Sequence, residues 1–186
     1  MSYYYLMAQL PHLVFDQKPP MTSDAYKSLA RSLMNKTDAD LLEKISLDFF
    51  NDDALTSCKF IDAWREWERA LRLNAGKHRA AQLHRDAFAT EPPVVPQDAA
   101  VSAAKAVNSD CNPLEGELVI DRARWNAIDE FAGTDYFTRN HAFAYLLKLL
   151  LLERRQAHDA EKGFSEYKSL YEQIIENANN SLGETV

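Results

Sequence analysis

Residues 57–88 read SCKFIDAWREWERALRLNAGKHRAAQLHRDAF, the longest uninterrupted helical pattern in the chain, with Gly76 its one interruption. Phe60, Trp64, Trp67 and Leu71 recur at i, i+4, i+7 and i+11. That spacing gathers them into one apolar stripe on a 3.6-residue helix. One residue further round lie Arg65, Arg69, Arg72 and Arg79. Residues 58–88 carry seven Lys/Arg against four Asp/Glu, a local balance of +3 in a chain whose net charge is -7. An acidic protein has therefore concentrated positive charge on one helix. Arginine forks suit carboxylates, and Arg and Trp are enriched at interface hot spots.

Three destinations are open for this stripe: the acidic 38–53 stretch of the same molecule, an acidic surface on a partner protein, or nucleic acid. The overall charge of -7 opposes the last.

Outward from residues 57–88, the pattern stays helical. Thr22 or Ser23 is placed to cap a helix running to about Met34, and Thr37, with Asp40 three residues on, to cap one over 38–47. Asn112, Pro113 and Glu115 occupy N-cap, N1 and N3 of a helix expected to reach Phe131 and stop at Gly133. Asp135 is expected to open a helix that reaches about Lys162 and ends at Gly163. Its stretch from Phe143 to Leu152 is apolar on nearly every side, as a buried helix is, but covers only ~15 Å, too short for a bilayer. A last helix over 164–180 places Phe164, Tyr167, Leu170, Tyr171, Ile174 and Ile175 on one face. Only Tyr3–Leu6 and Leu118–Ile120 read as extended.

The fold class is all-α, with one short extended segment expected at the N-terminus. Proline excludes helix interior, so Pro11, Pro19-Pro20 and the Glu91–Pro96 run are breaks. They divide the chain into a helical half over 1–90, a linker over 91–111 and a helical half over 112–186. Whether the halves pack together is not written in the pattern.

The 186 residues suffice for one domain, or one with a small appendage. Five glycines form no phosphate-cradling loop. His78 and His84 are six apart and face away from each other on a helix, against the i, i+4 spacing of zinc ligands. His12, His141 and His158 add no metal pattern, and Cys58 and Cys111 make neither metal nor redox spacing. Asp38, Asp40, Glu43, Asp48, Asp52 and Asp53 surround Lys44 in a run that reads as solvated. The expectation is no catalytic residue, no cofactor and no metal. With no secretory signal evident, a cytoplasmic protein is expected.

Several segments together resemble a family. They are Tyr3-Tyr4-Tyr5-Leu6-Met7-Ala8-Gln9-Leu10-Pro11, Phe15 with Pro19-Pro20, Trp64 to Arg72 with Arg79-Ala80, and Leu114 to Leu118. Asp121 to Trp125, Tyr136-Phe137 and Tyr145–Arg154 complete the set. The pattern resembles uncharacterised bacterial proteins encoded in V/A-type ATPase operons. Members of that family are likened to the all-helical component that seats the central stalk of archaeal-type enzymes on the membrane rotor ring. The chain departs from that component in size and in lacking its three-fold internal repeat. The resemblance implies a non-catalytic, cytoplasmic subunit or assembly factor, peripheral to the membrane-bound ATPase and acting by protein–protein docking. It implies no nucleic acid and no membrane insertion. Tyr3, Tyr4, Tyr5, Arg65, Arg69, Arg72 and Arg79 are the expected contact residues. The alternatives are a helical enzyme or small-ligand protein using a carboxylate site, and a stand-alone adaptor.

Overall fold

The computed structural model describes residues 2–47, 56–85, 113–157 and 160–183. Among them are seven helices: α1 (Tyr4–Met7), α2 (Ser23–Leu33), α3 (Lys36–Glu43), α4 (Lys59–Gln82), α5 (Pro113–Ala132), α6 (Arg139–Ala157) and α7 (Ala160–Gly183). The protein is all-α. The short extended segment expected at the N-terminus is instead a helical turn from Tyr4 on, and Leu118–Ile120, β-like in composition, lies within α5, inside the helix expected to reach Phe131. Among the described residues, only Ser2 pairs in the antiparallel sense, as an isolated bridge with Thr138.

Local chemistry sets the boundaries. Thr22 accepts a hydrogen bond from the Ala25 amide and starts α2. The cap of α3 is Asn35, which accepts from the Asp38 amide at 2.8 Å, and not Thr37. Extended backbone at Met34 and Asn35 separates α2 from α3 and fixes that earlier start. Cys58 gives α4 no side-chain cap. Asp62 instead accepts from both the amide and the hydroxyl of Thr56, each at 2.8 Å. At the other end His84 turns left-handed, with φ 51°. Arg85 then donates its amide to the Ala80 carbonyl, a stop that usually falls to glycine or asparagine. Helix α4 is thus shorter than the pattern predicted, and Gly76 lies inside it.

Gly133, at φ +84°, ends α5 where expected. Asp135 does not begin α6. It accepts from the Phe137 amide and from Thr138, holding a turn that delays the helix to Arg139. Gly163 lies within α7 and ends nothing.

Residues from both sides of the proline-rich segment share one core: Leu6, Tyr26, Leu42, Trp64, Trp67 and Leu71 cluster with Ile128, Phe143, Leu146 and Leu149. The segment over 91–111 lies outside the described residues. Helix α6 is the hub, packed against α5, α2 and α3, while α4 packs on α5. Its residues 141–147, Leu149, Leu151 and Leu152 are buried, which explains the apolar run. Each fully buried leucine contributes about 1.5–3 kcal/mol. Tyr26 donates its hydroxyl to the Ala142 carbonyl at 2.8 Å, so a polar atom in the core is satisfied.

Candidate partner interface

The α4 stripe divides by depth. Trp64 and Trp67 are each 1% exposed and stack 5.7 Å apart. Glu68, buried with them, anchors an ionic network across three helices. Arg124 of α5 grips Glu68 through Nε and Nη2 at 2.9 and 2.8 Å, and donates Nη1 to Asp121 at 2.9 Å. Arg72 donates Nε to Glu68 at 2.6 Å and Nη2 to the Leu47 carbonyl at 2.9 Å. Arg154 of α6 closes on Asp121. Burial works against the Arg124 charge, but the hydrogen bond and charge of Glu68 outweigh it and hold the guanidinium pKa above its usual value. Among the stripe's arginines, Arg72 is therefore a structural residue.

The other three lie nearer solvent. Arg65 is half-buried, Arg69 is exposed, and Arg79 pairs with Glu117 at 3.7 Å across the surface. Of the acidic 38–53 stretch, Asp38 is buried and Asp40 and Glu43 are exposed, while residues 48–53 lie outside the described residues. Arg72 touches that stretch at a main-chain carbonyl.

The three N-terminal tyrosines also separate. Tyr3 is buried and donates its hydroxyl to Asp38, so it is not a surface contact residue. Asn35 donates to the same hydroxyl at 2.7 Å, and Arg139 reaches Asp38 at 3.4 Å. Burial first, then the Asp38 hydrogen bond and charge, push the Tyr3 phenol up to about 12. Tyr4 and Tyr5 point outward, 61% and 79% exposed. Tyr4 lies 4.5 Å from Phe137, whose carbonyl accepts the Tyr3 amide. Tyr136 is exposed and packs on His141 at 4.7 Å. Two chain segments distant in sequence thus present Tyr4, Tyr5, Tyr136 and Phe137 at the surface on a pinned backbone. Arg139 also donates to the Ser57 carbonyl just before α4. Arg79, twenty residues along that helix, lies ~30 Å from this end. The expected contact residues do not form one site.

A cleft of about 690 Å³ runs between residues 7–15, α5 and α6. Its walls include Phe15 beneath the Arg122 guanidinium at 3.7 Å and Trp125 beneath the Lys148 ammonium at 4.4 Å. Asp129, the one carboxylate among the described lining residues, pairs with Lys148. His141 is buried with no hydrogen-bond partner at Nδ1. Burial lowers its pKa. The arrangement offers stacking and cation–π contacts; its described lining residues do not include the two converging carboxylates of the carboxylate-site alternative. The buried carboxylates Asp38, Glu68 and Asp121 are each engaged by arginine. Among the described residues, no group of three His, Cys, Asp or Glu side chains is placed to hold a metal ion. No described helix is long and apolar enough to cross a membrane.

Helix α7 differs from the rest. All of residues 163–175 are exposed. Phe164, Tyr167, Leu170, Tyr171, Ile174 and Ile175 are between 43% and 69% exposed.

Over residues 106–178 the chain is similar to a family described as "Protein of unknown function (DUF2764)". That stretch takes in α5, α6 and most of α7. No curated protein and no solved structure matches the chain.

Proposed function

We propose that this protein is a non-catalytic docking component, a subunit or assembly factor of a bacterial V/A-type rotary ATPase. The observation that carries the docking role is the aromatic surface of Tyr4, Tyr5, Tyr136 and Phe137. Aromatic side chains are the commonest interface anchors, and binding is tighter where they are held in place beforehand. Here the Tyr3 amide, the Tyr3–Asp38 hydrogen bond and the Ser2–Thr138 bridge pin the two segments. The ATPase as partner rests on the sequence resemblance. Arg69, exposed on α4, supplies a second point of contact for an acidic partner surface.

The test is affinity purification of the full chain from the cells that make it. Wild type is expected to recover ATPase subunits, and Tyr4→Ala/Tyr5→Ala to lose them with helicity unchanged. Arg69→Glu is expected to weaken recovery less. Recovery of no ATPase subunit by the wild type would contradict the ATPase reading. Full recovery by the double variant would contradict the role of this surface.

A further inference from the structure

Helix α7 carries a face that no described residue of its own chain covers. Phe164, Tyr167, Tyr171 and Ile174 follow 3-4-3 spacing, the a and d positions of a heptad. Leu170 and Ile175 flank this seam and widen it. At their observed exposures, the six side chains present roughly 600 Å² of apolar surface. That is the upper end of the largest apolar patch on a typical monomer, and such a patch is often a binding surface. A lone helix of 24 residues containing Gly163 and a run of Asn and Ser is only marginally stable in water. Covering the face would offset that weakness.

From these observations we propose that α7 pairs antiparallel with α7 of a second copy of this chain. The area supports this occupant, because two such faces bury ~1,200 Å², the lower end of stable specific interfaces. The register supports it as well. An antiparallel seam centred on Ser169 sets Tyr171 against the partner copy's Tyr167, and Phe164 against the partner copy's Ile174. Glu166 and Glu172 lie outside the seam, so no like-charge contact is buried. Antiparallel pairing also separates two chains that each carry -7 and opposes the helix dipoles. This surface is apart from the aromatic one, and the inference stands independently of the ATPase reading.

Sedimentation velocity of the full chain tests the pairing. The wild type is expected to be a dimer with a Kd on the order of 10 µM. Ile174→Lys and Tyr171→Lys are expected to be monomers with unchanged body unfolding. Wild type that stays monomeric up to about 500 µM, roughly fifty times that Kd, would overturn the proposal. So would dimers that survive both substitutions. Orientation is read by mixing Tyr167→Cys and Tyr171→Cys variants in a Cys58→Ala/Cys111→Ser background. Mixed disulfides forming faster than either self-pair support the antiparallel seam, and faster self-pairs refute it.

Discussion

The helical body and α7 use the same amphipathic grammar to opposite ends. On α4 the apolar stripe is sealed, and even Glu68 within it is matched by Arg124 and Arg72. On α7 the stripe is as regular but stands in solvent. Periodicity reports that a face is made to be covered; only tertiary structure reports whether the same chain covers it. The body is thus self-sufficient, and α7 depends on something beyond it.

The sharpest way to break that contrast is Glu68→Ala. Removing Glu68 from the buried ion network leaves Arg124 with Asp121 as its one carboxylate partner in that network and strips Arg72 of its buried partner, and a loss of about 3–5 kcal/mol is expected in urea unfolding. A loss under about 1 kcal/mol would mean that the network is as dispensable as a surface pair. Tyr3→Phe follows, with an expected cost of about 1–3 kcal/mol because buried Asp38 loses a donor. Tyr3 also carries a pH signature. Its pKa is raised in the fold to about 12 from 10.0, so its contribution is complete below pH 10 and is lost as pH climbs toward 12. Tyr3→Phe should flatten that alkaline decline in a series of unfolding curves.

His141 acts at the other end of the scale. Its pKa falls below 6.5 on folding, so its stabilising contribution is present above pH 6.5 and is lost as pH drops through the lowered value. His141→Gln should reduce that acid slope. The smallest effect belongs to α7. Ile174→Lys should leave body stability within about 0.5 kcal/mol of wild type under dilute conditions, measured by the same unfolding curves.

Much of the fold was legible because it depends on local rules. Pro113 and Gly133 bracket α5, Thr22 opens α2, and the leucine-rich stretch of α6 is buried. The failures came where a distant partner decides. Tyr3-Tyr4-Tyr5 looks like one motif, yet Asp38 and Phe137 draw Tyr3 inward and leave its neighbours out. Arg72 reads as part of an exposed arginine face until Glu68 and Leu47 claim it. Glu68 did leave a signal: it falls at i+4 from Trp64 and i−3 from Leu71, a charge at a core position. Its partner Arg124 on α5, and the link from there through Asp121 to Arg154 on α6, were unreadable, because no spacing connects residues on different helices. The exposed aromatic surface was half legible, since Tyr4 and Tyr5 were expected contacts but Tyr136 and Phe137 join them only through the fold.

Hydrogen exchange of the full chain at a series of concentrations tests the central claim most directly. Amides of α4, α5 and α6 should be protected at every concentration, because their faces are covered within the monomer. Those of α7 should exchange rapidly when dilute and gain protection as concentration rises. Protection of α7 that is equally strong at the lowest concentration, or absent at the highest, would contradict the account.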